Sequence, residues 1–191
     1  YAEAANRDGG WSGWRPFRIT DKVAESVEIT SFYLTPTDGG PLPAFRPGQY
    51  TTVRVFVPEW NVMQPRQYSL SDAPGSAAFR ISVKREPGSD GTPAGRVSNR
   101  LHDAYNKGDI IDLAPPFGDF YLHEDRDTPV VLISGGVGIT PMISMLKHLI
   151  ATAKNRPVQF IHTCRNADVL AFGARLHKAA ADNPQLEVHI Y

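Results

Sequence analysis

The chain has 191 residues and a mass of 21.0 kDa, with 41% hydrophobic and 21% charged residues, proportions that suit a folded core and exclude disorder, collagen and coiled coil. Twenty Lys+Arg balance twenty Asp+Glu, so no net positive field draws the chain to nucleic acid or to an anionic membrane. The single cysteine, Cys164, excludes an internal disulfide and any four-cysteine zinc or iron–sulfur site, and points to a reducing, cytoplasmic compartment.

The amino end, YAEAANRDGGW, has no apolar signal core and reads as the last turns of a helix stopped by Gly9 and Gly10, with no helix start before it. Short runs of strand character then recur between turns: Phe17 to Val23, Glu28 to Leu34, Gln49 to Val57, Arg66 to Ser71, Phe79 to Arg85, Ile110 to Leu113 and Phe120 to Leu122. In FRISVKRE, Phe79, Ile81 and Val83 share one face and Arg80, Ser82 and Lys84 the other. Six or seven such strands predict an antiparallel barrel or sandwich. One helix interrupts them, in GRVSNRLHDAYNKGD, with Ser98 as its N-cap and Gly108 beyond its end.

The periodicity changes near Asp127. VVLIS is followed by a glycine loop and a helix from about Thr140, with Pro141 in its first turn and Met142, Ile143, Met145, Leu146, Leu149 and Ile150 inward. VQFIHT, a second helix over about 167–180 and LEVHIY complete a strand–helix–strand–helix–strand unit, the repeat of a parallel sheet. The stretch Val130 to Leu146 is broken by glycines, a proline and hydroxyl residues, so it does not read as a membrane span. A strand with no residue after it, like a helix tail with no start, suggests a piece of a longer protein.

Three segments carry chemistry. GGVGITP, Gly135 to Pro141, lies between an apolar strand and a helix, where glycines admit a phosphate to the backbone and the helix start stabilises its charge. A plain strand-to-helix turn is the alternative, and proline in place of the third glycine separates it from the Rossmann fingerprint. RQYS, Arg66 to Ser69, combines a cation for a phosphate, an aromatic ring for a flat ligand and a hydroxyl for a ring nitrogen, although an ordinary half-exposed strand could look the same. GRVS, Gly95 to Ser98, is a second helix start suited to phosphate.

RQYS, VKRE at 83–86, GRVSNRLHD, PPFGDF and GGVGITPM occur in an order that resembles the ferredoxin-reductase-type flavin and nicotinamide reductases. GGWSGWRPFRI, EITSFYL with DGGPLPAFRPGQY, and VSNRLHD narrow the resemblance to the reductase region of flavohaemoglobins, the nitric oxide dioxygenases. That resemblance implies a six-stranded antiparallel FAD-binding barrel over 14–125 and a parallel α/β nicotinamide-binding domain over 126–191, C-terminally truncated, with 1–13 as the tail of a preceding globin helix and linker. By motif it places Arg66 on the FAD pyrophosphate, Tyr68 on the flavin and ribitol, Ser69 near the hydride-accepting nitrogen and Tyr50 on the adenosine side. Gln67, Lys84 and Glu86 fall in the same cofactor-binding motifs, and Gly95, Val97 and Ser98 would serve the pyrophosphate. Gly135, Gly136, Val137, Gly138, Ile139, Thr140 and Pro141 would receive NADH or NADPH, with Thr140 nearest the ring. Ser69 and Thr140 are thus the expected catalytic pair. Haem would belong to the globin partner, outside this stretch, and the segment that closes the nicotinamide pocket would lie past Tyr191.

The rival readings are the FAD-dependent reductase component of an oxygenase and a non-catalytic barrel binding module, the latter disfavoured by zero net charge and the glycine loop. TCRNAD, after the second α/β strand, offers both Arg165 and Asp168 where coenzyme choice is usually made, so it leaves NADH and NADPH open. No metal is expected, because the six histidines form no HxH or HxxxH pair. Trp11, Trp14 and Trp60 could anchor a partner domain or pack beneath loops.

Overall fold

In the computed structural model, residues 5–153 and 155–191 are described. The first half of the helix tail expected at the start, residues 1–4, therefore lies outside the described residues. Gly9, its proposed stop, has φ +73°, and its neighbour Gly10 donates to the Arg7 carbonyl at 2.8 Å.

Six strands form one antiparallel sheet: β1 (Arg15–Ala24), β2 (Ile29–Pro36), β3 (Tyr50–Val57), β4 (Val62–Ser69), β5 (Phe79–Lys84) and β6 (Ile110–Leu113), in the order β4-β3-β6-β1-β2-β5. Alternation aims Val53, Val55 and Val57 of β3 inward, each essentially without solvent exposure. An antiparallel bridge between Leu70, just after β4, and Ile81 of β5 brings the two edges together. The core gathers Phe17, Phe32, Leu34 and Ile81, and helix α1 (Arg96–Ala104) adds Val97 and Leu101. Trp11 packs on this core and its Nε1 donates to the Leu113 carbonyl at 3.0 Å, so it serves the barrel's own packing.

The second unit runs β7 (Val130–Gly135), α2 (Ile139–Thr152), β8 (Val158–Thr163), α3 (Gly173–Asp182) and β9 (Leu186–Ile190), with β8 central and all pairs parallel. Leu132 and Phe160 face the helices, whose Ile143, Leu146, Leu149 and Leu176 complete a second core. Ile29 of β2 and Leu122 belong to this core rather than to the barrel's. Val131 and Ile133, on the other face of β7, are 53% and 63% exposed. Among the described residues no helix is long and apolar enough to cross a membrane.

Several expectations shift. Residues 120–122 form no strand; Leu122 N donates to the Pro47 carbonyl at 2.9 Å and its side chain turns into the second core, because its apolar character serves a linker contact. β4 begins at Val62 rather than at Arg66, since the 3-10 turn Pro58–Trp60 closes a tight hairpin pairing Phe56 with Met63. Ser98 is not a cap: α1 starts at Arg96 after Gly95, and Ser98 Oγ donates back to the Gly95 carbonyl at 3.3 Å. The helix expected over 167–180 is a short turn, Ala167–Val169, followed by α3 from Gly173, because Phe172 adopts φ +62° and breaks helical continuity. Met142 and Ile150 are only partly buried. Arg80 and Ser82 of β5 are buried, at 2% and 3% exposure: the Phe172 ring of the α/β unit lies 5.1 Å from the Arg80 guanidinium, and Ser82 Oγ bonds with the Ser31 and Ser71 hydroxyls at 2.7 and 2.8 Å.

The two units meet through polar contacts. Asp72 pairs with Lys147 of α2, and Ser144 Oγ donates to the Asp72 carbonyl at 2.6 Å. Glu25 pairs with Arg175 at 3.2 Å. At Gly48 (φ +106°) an added Cβ would collide with the end of Met145 in α2 and stand 2.7 Å from the Phe120 carbonyl oxygen.

Candidate functional site

Beyond Asn61, a left-handed residue that closes the hairpin, β4 runs along the sheet edge and presents Arg66, Gln67, Tyr68 and Ser69. They line a cleft of about 530 Å³ together with Ser82, Lys84 and Glu86 from the β5 end, Gly95, Arg96, Val97 and Ser98 at the start of α1, and Val137, Gly138, Thr140 and Pro141 from the glycine loop and the first turn of α2. The three segments that stood out in the sequence thus converge on one cavity between the two units.

Both helices that open on this cleft lack a side-chain cap. Gly95 stands at the N-cap of α1 and Gly138 at that of α2, and neither helix has a capping hydrogen bond from a side chain or an acidic residue in its first turn. Most helix starts satisfy orphan amides with Ser, Thr, Asp or Asn; at α1 no side chain does so, and at α2, where the Gly136 and Val137 carbonyls take the Ile139 amide and Pro141 has no N–H, the positive dipole end still faces the cavity, so both helix starts suit an anion. Arg66, Lys84 and Arg96 outnumber the single carboxylate, Glu86, which Lys84 holds at 3.0 Å. At Gly95 an added Cβ would press on Ser98 Oγ and lie 2.9 Å from Glu86 Cβ, so the cradle leaves no room for a side chain there.

Tyr68 is half-buried against the barrel core, and burial pushes its phenol up to about 12, partly opposed by the Arg66 charge. It is a neutral aromatic surface at any physiological pH. Thr140 Oγ1 donates to the Val137 carbonyl at 3.0 Å and braces the glycine turn.

Some expected residues lie elsewhere. Tyr50 packs edge-on against Phe117, centroids 6.4 Å apart, and its ring fills the space where a Cβ on Gly118 would fall. Gly135 ends β7 beside Thr163, Gly136 (φ +51°) opens the 3-10 turn Gly136–Gly138, and Ile139 is fully buried in the second core. These positions shape the loop rather than line the cleft. Ser82 and Arg96 line it without having been expected to: the alternation of β5 placed Ser82 beside Lys84, a cue that hydroxyl character alone did not raise. A second cavity, about 560 Å³, shares Arg66 and Gln67 and is walled by Gly13, Trp14, Thr52, Pro65 and Ala114, with the Arg54 guanidinium 4.6 Å over the Trp14 ring. Trp60 lies under Arg96 at 4.7 Å. Among the described residues no His, Cys, Asp or Glu group is placed to hold a metal.

Residues 132–191 match the model of the oxidoreductase NAD-binding domain family. The chain is 56% identical over 190 residues to a flavohemoprotein of Chromobacterium violaceum and 55% identical over 192 residues to one of Bordetella pertussis, each match spanning all of this chain and 47% of the relative. The FAD/NAD-binding domain of a nitric oxide dioxygenase from Vibrio cholerae superposes with a TM-score of 0.86 at 38% identity, covering 96% of this chain and 74% of that one. The chain belongs to the flavohemoprotein family. It corresponds to that family's FAD/NAD-binding, reductase part and spans about half the length of the curated relatives it matches.

Proposed function

We propose that the chain holds FAD in the cleft along β4 and takes hydride there from NADH or NADPH docked at the glycine loop, as the reductase part of a flavohaemoglobin whose globin haem receives the electrons for nitric oxide dioxygenation. The observation that carries this reading is the meeting of RQYS with two uncapped helix starts in one cleft. FAD, when bound, supplies the redox chemistry, taking up two electrons as hydride and releasing them singly.

The residues present fit that group. Arg66 is exposed and directs one N–H at the Pro65 carbonyl, 2.8 Å away, which orients a guanidinium with further donors for the pyrophosphate. The first-turn amides of Arg96, Val97 and Ser98 would face the same anion, while Gly95 N donates to the Glu86 carbonyl at 2.8 Å. Tyr68, kept neutral by burial, offers its ring to the flavin, and Ser69 at the strand end offers a hydroxyl to its central ring. On the opposite wall, Val137, Gly138 and Thr140 would offer backbone amides to the dinucleotide phosphates, beside Pro141, which has none to give, and Thr140 would stand closest to the nicotinamide ring.

We read 14–125 as the FAD-binding unit and 126–191 as the nicotinamide-binding unit, a division supported by the two separate cores. On this reading 1–13 is the linker from a globin helix, supported by relatives about twice as long as the chain, and the setting is cytoplasmic, supported by the unpaired Cys164.

The experiment is a titration of apoprotein with FAD, followed by flavin fluorescence. Arg66→Ala removes charge-assisted hydrogen bonds and should weaken binding by about tenfold to a hundredfold. Equal affinity in the variant and the parent would remove Arg66 from the pyrophosphate and overturn the placement of FAD along β4.

A further inference from the structure

Coenzyme choice in parallel α/β units is usually set just past the strand after the glycine loop, where a carboxylate holds the ribose hydroxyls or an arginine accepts a 2′-phosphate. Here that place is Cys164 to Val169, at the carboxyl end of β8, next to the end of β7 through the pairing of Gly135 with Thr163. Its polar side chains have different occupations. Asn166 accepts from the Asp168 and Val169 amides and so closes the short turn. Arg165, 71% exposed, reaches across to the barrel and forms an ion pair with Glu28, whose side chain is 16% exposed.

Glu28 is held firmly. Ser26 Oγ accepts from the amides of Glu28 and Ile29, and the Glu28 carbonyl accepts from Arg85 N at 2.7 Å. The next side chain, Ile29, is buried in the α/β core, and Val27 N donates to the Asp168 carbonyl at 3.2 Å. The strand start that carries Glu28 is therefore fastened to the same loop that carries Arg165. A lone exposed arginine here would be free to swing onto a 2′-phosphate. Paired with a fixed carboxylate, it can do so only by leaving that partner, and the incoming phosphate would then stand beside the Glu28 charge.

We propose that Glu28 is a specificity-determining residue for the adenosine end of the coenzyme: by holding Arg165 and adding a like charge, it disfavours a 2′-phosphorylated ribose and selects NADH over NADPH. The selection works by repulsion of the wrong ligand rather than by a contact with the right one. This rests on the nicotinamide-site reading given above.

The test uses binding alone, on FAD-loaded protein, with AMP and adenosine 2′,5′-bisphosphate as probes in calorimetric titrations. Glu28→Gln should raise the affinity for the bisphosphate relative to AMP by about threefold to tenfold, a range set by an exposed ion pair plus the removed repulsion. Adding Arg165→Ala to Glu28→Gln should cut that gain to the smaller part owed to the removed repulsion. An unchanged ratio in Glu28→Gln, or a gain left undiminished without Arg165, overturns the proposed role of Glu28 while leaving the nucleotide site standing. Failure of both probes to bind parent and variants alike would instead overturn the nicotinamide-site reading, and this proposal with it.

Discussion

The barrel buries its apolar residues around a closed sheet, whereas the α/β unit covers one face of its sheet and leaves Val131 and Ile133 at the surface. Parallel sheets are usually buried on both faces, so the α/β unit has less enclosed core of its own than the barrel. It also borrows: Ile29 and Leu122, from barrel segments, complete its interior. The difference teaches that one wall of the cleft is self-supporting and the other depends on its neighbour. The polar bridges of Asp72 with Lys147 and Glu25 with Arg175 then align two walls of unequal rigidity.

The sharpest way to break this comparison is Phe160→Ala. It empties the centre of the α/β core and should cost about 3–5 kcal/mol, with the barrel still binding FAD. Denaturant titrations followed by flavin absorbance and by far-ultraviolet circular dichroism should then separate into two transitions; one shared transition would show that the units unfold as a single body. Ile29→Ala tests the borrowing. Although it lies in a barrel strand, it should destabilise the α/β transition by about 2–5 kcal/mol, and loss of the flavin-linked transition instead would contradict the assignment of Ile29 to the second core.

Two titrations sharpen the comparison with smaller effects. In the barrel, Tyr68 has a folded-state pKa raised from the ordinary 10.0 to about 12, so its contribution to stability is complete below 10.0 and is lost as pH rises towards about 12. Tyr68→Phe should flatten the alkaline loss of stability measured by urea unfolding across that window. In the α/β unit, burial lowers His162 below the ordinary imidazole value of 6.5, opposed by its contact with Ser134, 2.9 Å from Nδ1. A depressed histidine stabilises the fold above 6.5, and that contribution fades as pH falls. Its ring resonances in proton NMR should therefore titrate below 6.5, and a midpoint at or above 6.5 would contradict the burial.

Much of this was legible in the sequence where pattern and chemistry coincide. The alternation of β3 and β5, the glycine loop between β7 and α2, and the order RQYS, GRVS, GGVGITP predicted both units and the segments that meet in the cleft. Local pattern failed where long-range contact decided. Phe120 to Leu122 looks like a strand, but Leu122 is apolar because it crosses into the other core. The early start of β4 was hidden by Pro65, tolerable on an edge strand and misleading in a window of sequence. Ser98 is a good capping residue by type, yet three residues ahead of it the chain already turns at Gly95. Arg80 and Ser82 alternate like solvent-facing positions and are buried because Phe172 of the second unit lies over Arg80 and the hydroxyls of Ser31 and Ser71 take up Ser82.

Gly48 shows what that dependence means for how such a chain can change. The turn RPGQY belongs to the barrel, yet the space beside its glycine belongs to Met145 of α2 and to the linker carbonyl of Phe120. Methionine could yield to an added methyl group; a main-chain oxygen 2.7 Å away could not. Any accepted replacement at 48 must therefore arrive with a rerouted linker. The two halves cannot diverge independently at this point, and a chimera joining this barrel to a foreign α/β unit inherits the constraint at its seam.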